Sequence, residues 1–364
     1  GEHEDVVRLI AANSRTPADR TGDLRAQFAA NHVGAVRLRE LAEHRGRDGL
    51  RAAMAAVCDY SDRRVRAAIR DIPNGVYRTE DELEVRGGLP IRVAVTVDDT
   101  EITVDFSGSA EQVPVNCNAV FAVTLSASMF AFRMLTDPDA PPNAGCYRSL
   151  HVRAPEGSIV RPVFPAPTAA GNVETSQRIV DVLLSAFARA IPRRVPAQSQ
   201  GTMNNMLLGA GDPPFSYYET LGGGEGATPD RPGMSGLHTG MTNTRNTPAE
   251  AVELDYPLRV WRYELRPGSG GAGTWSGGDG LVREIEALAD CTLTLQTERR
   301  LRAPAGAAGG LPARPGRNVL VRTDGTEREL PSKGAWLLHR GERVRVETPG
   351  EGGWGPPPGH SVRS

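Results

Sequence analysis

The chain has 364 residues with Lys+Arg 42 against Asp+Glu 44 and a formal net charge of −2, a balance that offers no basic footprint for nucleic acid. Its four cysteines, Cys58, Cys117, Cys146 and Cys291, are scattered with no C-x-x-C, which excludes the common zinc spacings and a secreted disulfide framework. No apolar run is long enough to span a bilayer and no signal peptide is visible, so a cytoplasmic protein with no membrane partner is expected.

Residues 1–72 read as a helical region. Leu24, Phe28, Ala35, Leu38 and Ala42 form one stripe, and Leu50, Met54, Val57, Val65 and Ile69 form another. Pro73-Asn-Gly75 closes this layer. Ile91, Val93, Val95 and Val97, then Ile102, Val104 and Phe106, alternate with polar residues around Asp98-Asp-Thr-Glu101 and predict a hairpin with one buried face. Residues 118–135 are apolar almost all round and predict a buried helix.

Next, Thr168-Ala-Ala-Gly-Asn-Val-Glu-Thr-Ser-Gln177 opens a helix with Asn172 as its N-cap and Glu174 in its first turn. Ile179, Leu183, Phe187 and Ile191 are its apolar stripe, and Pro192 is its stop. Residues 73–255 thus read as a central α/β region. Residues 256–364 read as β-rich, with strand patterns at 258–265, 281–295, 319–322 and 344–346 and a surface-loop tail from Thr348 to Ser364. The fold class expected is α+β. Lys333 is the only lysine, which reads as a coding bias toward arginine.

Candidate site residues fall between 168 and 250. His238 lies in a polar loop between Gly236 and Gly240, where an imidazole suits proton transfer or metal ligation, or else hydrogen-bonds the loop. Glu174, Glu219 and Glu250 could polarise water or bind a metal contributed with other chains, and Glu174 and Glu219 are the candidate catalytic carboxylates. Their structural alternatives are a helix-dipole partner and a strand-end carboxylate, and for Glu250 a first-turn acid. Asn172, Asn204, Asn205 and Asn243 can each donate and accept, which matches the edge of an amide and equally suits loop stapling. Cys117 and Cys146 have no neighbouring base. No residue of the chain is assigned as a metal ligand.

The strings Ala169-Ala-Gly-Asn-Val-Glu-Thr-Ser-Gln-Arg178, Gly201-Thr-Met-Asn-Asn205, Tyr218-Glu-Thr220, Met241-Thr-Asn-Thr244, Ser269-Gly-Gly-Ala-Gly273 and Gly277-Gly-Asp-Gly-Leu-Val-Arg-Glu284 occur in that order. With Asn13-Ser-Arg-Thr-Pro17 and Gly22-Asp-Leu-Arg-Ala-Gln27 upstream, they resemble the hydantoinase B/oxoprolinase family over nearly the whole chain. Arg302-Ala-Pro-Ala-Gly306 departs from it in lacking a tryptophan.

The resemblance implies a subunit, or its carboxy-terminal portion, of an ATP-dependent cyclic-amide hydrolase acting on a hydantoin, lactam or imide. The alternatives are a subunit of an ATP-dependent ketone carboxylase and a non-catalytic structural subunit. ATP is expected on a hydantoinase A-like partner, consistent with the lack of a G-x-x-x-x-G-K-[ST] loop here. A divalent metal is expected mainly from another chain, one that supplies the preceding hydantoinase B portion with its His/Asp-rich strings.

Overall fold

A computed structural model describes residues 3–358 apart from Arg15 and Arg86. The chain divides into two compact units, residues 1–63 with 141–146, and residues 64–140 with 147–364. The class is α+β, with helices and three β-sheets.

The first unit holds α1 (Glu4–Ala12), α2 (Pro17–Arg45) and the start of α3 (Arg47–Ile69). Neither α1 nor α2 buries a residue, so the stripe expected on α2 is not a core face: Phe28 and Leu38 are exposed. On α3, Met54 and Val57 are exposed, whereas Val65 and Ile69 join the core of the second unit. Residues 141–146 press on α3 within the first unit. A Cβ on Gly145 would lie 2.0 Å from the carbonyl oxygen of Cys58.

The second unit opens with a sheet of β1 (Gly75–Leu83), β2 (Leu89–Asp98), β3 (Glu101–Asp105) and, after α4 (Phe121–Leu135), β4 (Leu150–Arg153). β1, β2 and β3 run antiparallel, and β4 pairs parallel to β3. The expected hairpin is β2–β3, and its alternating Ile91, Val93, Val95, Val97, Ile102 and Val104 are all buried. Against this sheet packs α5 (Glu174–Phe187). α5 is not capped by Asn172. Residues 169–172 form a 3-10 turn, Val173 occupies the cap position without a side-chain bond, and Asn172 is exposed. At the adjacent Gly171 the chain packs closely, and a Cβ would sit 1.9 Å from the Asn118 carbonyl oxygen. α5 also ends at Phe187, short of the Pro192 expected to stop it.

Then come β5 (Asn205–Gly211), β6 (Pro214–Thr220), α6 (Ala249–Asp255), β7 (Leu258–Leu265), β8 (Leu281–Ala287), β9 (Cys291–Gln296), β10 (Arg317–Val321), β11 (Glu327–Leu330), β12 (Lys333–Leu338) and β13 (Arg343–Glu347). They form a five-stranded sheet, β11-β10-β13-β8-β7, and a four-stranded sheet, β12-β9-β5-β6, antiparallel throughout. Met206, Leu208, Leu293 and Leu295 from the four-stranded sheet share one core with Ile285, Leu320, Val344 and Val346 from the five-stranded sheet. The segment after β13 is no surface loop: Thr348 and Glu351 are fully buried, and Trp354 pairs with Trp275 and Ala307. Residues 359–364 of that expected tail lie outside the described residues.

A buried ionic network ties these layers together. Arg178 on α5, fully buried, donates to Asp81 of β1 at 2.6 Å and to Glu298, just after β9, at 3.0 Å. Arg299 donates to Asp81 at 3.1 Å and to Asp181 of α5 at 2.5 Å. Lys333 of β12 closes the far end on Glu298. Burial opposes ionisation of Asp81 and Glu298, yet the adjacent cations hold both carboxyls below their ordinary range.

Arg178→Met removes the shared cation and leaves Asp81 with Arg299 alone and Glu298 with Lys333 alone. It is expected to cost about 3–5 kcal/mol, read as the loss of unfolding free energy in denaturant. A loss below about 1 kcal/mol would show that the network is dispensable for folding. Glu351 behaves oppositely. Both its carboxyl oxygens are buried without a partner, and burial, then Asp279, pushes its pKa well above 4.5. The folded state holds that proton when the unfolded chain has released it, so stability falls as pH rises above the unfolded value. Glu351→Gln is therefore expected to raise the melting temperature at neutral pH and to have little effect near pH ~4.

Candidate functional site

Strand alternation gives the four-stranded sheet two unlike faces. Met206, Leu208, Leu293 and Leu295 point into the core, so Asn205, Gln296 and Lys333 occupy the opposite face. The register places Thr220 opposite Asn205, Asn205 opposite Gln296, and Gln296 opposite Lys333. A polar row therefore crosses β6, β5, β9 and β12, with directly opposed Cβ atoms about 5 Å apart.

The row is wired to α5. Asn205 accepts from Tyr218 Oη at 2.7 Å and Thr220 Oγ1 at 3.0 Å. Its Nδ2 donates to Glu174 Oε1 at 3.3 Å and to the Gln296 carbonyl at 3.5 Å. The Met203 N–H also donates to Glu174 Oε1, at 3.2 Å, while Glu174 Oε2 is buried with no partner. Burial raises the Glu174 carboxyl from 4.5 to about 7, with Lys333 opposing the rise and Glu298 adding to it. A carboxyl balanced between its two forms at neutral pH can both take and return a proton.

Beside this row opens a cavity of about 410 Å³, lined by residues that include Glu84, Asn116, Cys117, Gln296, Ser332 and Lys333. Thr175, next to Glu174, donates to the Cys117 carbonyl at 2.5 Å, and Asn116 Oδ1 accepts the Ala170 N–H at 3.0 Å. The start of α5 is thereby fastened to the cavity wall. Burial pushes the Cys117 thiol up to about 11, with Lys333 opposing, so the sulfur is a neutral wall atom at physiological pH. Gln296 Oε1 is buried and unpartnered. Glu84 is held by the backbone N–H groups of Arg300, Leu301 and Arg302, each at 2.8 Å.

The other sequence candidates disperse. Asn204, at positive φ, is buried one residue before the row, donating to Gln200 at 2.9 Å and accepting from Arg300 at 2.9 Å. Glu219 faces the core side of the same sheet and pairs with buried Arg283 at 3.1 Å, across the sheet from Glu174. Both His238 ring nitrogens are engaged within its loop, Nδ1 with Thr242 at 3.0 Å and Nε2 with Asn246 at 3.2 Å. Asn172 and Asn243 are exposed, and Glu250 sits in the first turn of α6. Lys333, Gln296 and Glu298 were not singled out from the sequence for this site. Lys333 had a visible mark, as the only lysine in an arginine-rich chain. Among the described residues no group of three or more His, Cys, Asp or Glu side chains is placed to hold a metal ion. Nor, among them, is any helix long and apolar enough to cross a membrane.

Comparison with known proteins agrees with this architecture. The chain is 36% identical over 359 residues to a 5-oxoprolinase of Dictyostelium discoideum, covering 97% of this chain and 28% of that protein. It is 32% identical to one subunit of a putative D-/L-hydantoinase from a Pseudomonas species, covering 97% of this chain and 62% of that protein. The ATP-dependent caprolactamase of Pseudomonas jessenii superposes with a TM-score of 0.89 at 29% identity, over 98% of this chain and 64% of that one. Acetone carboxylase in its nucleotide-free structure superposes with a TM-score of 0.79 at 17% identity, over 93% of this chain and 52% of that one, a likeness of fold alone. The chain thus spans less than two thirds of the length of each of these relatives. The sequence model of the hydantoinase B/oxoprolinase family matches residues 1–357, and the chain belongs to that family.

Proposed function

We propose that this chain is the ring-opening component of an ATP-dependent cyclic-amide hydrolase, and that Glu174 is its proton carrier. The observation that supports this is the fully buried Glu174 carboxyl, raised to about 7 with one oxygen unpartnered and joined through Thr175 to Cys117 and through Asn205 to Gln296, two residues that line the cavity. An amide is a poor electrophile. Transfer of the γ-phosphoryl group of ATP to the ring carbonyl oxygen, on a partner subunit, gives an O-phosphorylated imidate that keeps its ring N–H and whose carbon is open to attack. Water adds to that carbon while Glu174 takes its proton, and the tetrahedral adduct forms. Glu174 then returns the proton to the ring nitrogen as the C–N bond breaks, and the adduct's hydroxyl releases its own proton to solvent as it becomes the carbonyl of an acyl phosphate. The acyl phosphate left behind reacts with a second water to give the open-chain amino acid and phosphate. Asn205 holds the Glu174 carboxyl in place for both transfers.

The described residues contain no ligand set for the divalent metal expected of the family, so no step is routed through one. In this reading the metal and ATP arrive with partner chains. The apolar residues Val6, Leu9, Ile10, Phe28, Val33 and Leu38, exposed on α1 and α2, are a suitable contact for such a chain. Carboxylation of a ketone uses the same activation on an enol. At 17% identity the acetone carboxylase likeness adds nothing in its favour beyond fold.

In the complex assembled with the ATP-using partner, ATP consumption should depend on a lactam or hydantoin. Dependence on bicarbonate plus a ketone would replace the hydrolase reading with the carboxylase one. Glu174→Gln should lower ring opening at least about a hundredfold. The proton held by Glu174 at neutral pH stabilises the fold below about pH 4.5, and that contribution fades as pH rises toward 7. The variant should therefore melt increasingly above the wild type between pH ~5 and ~8. Near-normal turnover in Glu174→Gln would remove it from the mechanism. The chain purified alone is expected to bind a hydrophobic dye strongly and to lose that binding in the complex; equal dye binding in both states would count against α1 and α2 as the contact.

A further inference from the structure

The cavity walled by Cys117 carries two groups that the reaction above does not use, Lys333 and Gln296. They stand directly opposite one another on β12 and β9 and both line the space. Lys333 offers N–H donors. Gln296 Oε1 is an acceptor, buried and without a partner. A donor and an acceptor about 5 Å apart at their Cβ atoms form a complementary edge for a group that accepts and donates side by side. An amide in a small ring is such a group, because the ring forces its C=O and N–H onto the same side.

The charge at this cavity narrows the ligand further. Of the charged side chains that line it, Lys333 is paired with Glu298, and Glu84 is an anion held on three backbone N–H groups. Glu298 is in turn shared with Arg178. A ligand carboxylate entering here would face Glu84 and would compete with Glu298 for Lys333. A neutral ring meets no such penalty.

We propose that Lys333 and Gln296 form the recognition edge for the cis-amide of an uncharged cyclic amide, a lactam or hydantoin without a carboxylate. The ring oxygen accepts from Lys333 Nζ, and the ring N–H donates to Gln296 Oε1. This deepens the cyclic-amide reading and rests on it for the reaction, though binding itself requires neither ATP nor a partner.

Ligand-observed NMR titration of the full chain tests this with three probes: 2-piperidone, N-methyl-2-piperidone and 5-oxoproline. The expected order is 2-piperidone tightest, with each of the others at least about tenfold weaker, since a buried polar site rejects a ligand that leaves it unpaired. Gln296→Leu should bring 2-piperidone and its N-methyl derivative to within about threefold of each other while the chain keeps a cooperative melt. Lys333→Met combined with Glu298→Gln removes both charges of that pair and should weaken 2-piperidone at least about tenfold. Equal or tighter binding of 5-oxoproline would overturn the proposal, as would discrimination against the N-methyl ring that survives Gln296→Leu. No lactam binding to a cooperatively melting chain would overturn it as well. Lactam turnover by the complex with no effect of Gln296→Leu defeats the recognition edge and leaves the hydrolase reading intact. The expected probe order with no lactam-dependent ATP use defeats the hydrolase reading and leaves the edge intact.

Discussion

Removing charge from water is costly, and this protein does it repeatedly around one side chain. Arg178 is fully buried, and its two carboxylate partners come from opposite directions, Asp81 from the first sheet and Glu298 from the end of β9. It helps to keep both carboxylates ionised there. Because each also has a second cation, Arg299 for Asp81 and Lys333 for Glu298, the helix, the first sheet and the four-stranded sheet hold one fixed geometry. Hydrophobic packing alone would let α5 slide by small amounts; paired buried charges have few alternative partners.

That rigidity lets one carboxyl be treated differently from the rest. Glu174 begins the same helix, yet it accepts two N–H groups on one oxygen and nothing on the other. Glu298, at comparable depth, is drawn down by two cations, while Glu174 is lifted toward neutrality by burial. Two buried glutamates in one neighbourhood are thus shifted in opposite directions, Glu298 down and Glu174 up. Glu219 shows the contrast across the sheet: on the core face it meets Arg283 and becomes part of the frame.

Much of the fold was legible in periodicity. The β2–β3 hairpin, α5 and several carboxy-terminal strands follow directly from apolar spacing, whereas the stripe on α2 marks a helix but no buried face. β1 was not legible, because Glu80, Asp81 and Glu82 break its pattern and their arginine partners are distant in sequence. The buried tail was missed for a related reason, since glycine and proline mark loops whether or not another segment covers them. Within the site, Glu174 and Asn205 stood out by type and setting. Which of the remaining candidates would meet them depended on strand parity: β5 and β6 turn Asn205 and Glu219 to opposite faces, and register between distant strands cannot be read from local sequence.

The connection from β11 to β12 is only Pro331-Ser332, and it carries the chain from one sheet to the other. It is pinned, with the Ser332 carbonyl accepting from Thr297 Oγ1 at 2.6 Å and the Pro331 carbonyl from Asn318 at 3.2 Å. Lys333 is the first residue beyond this corner, so its face of the sheet is set by the corner's length. One inserted or deleted residue there would turn the ammonium toward the leucines of the core and present a neighbour to the cavity. The opposite end of β11 leads through the exposed turn Thr323–Thr326, closed by a backbone bond between Arg322 and Thr326, whose Gly325 has nothing near its missing Cβ and where added length would leave the cavity untouched. Over a stretch of ten residues the chain therefore passes from a place where length is free to one where length is itself a determinant of the site.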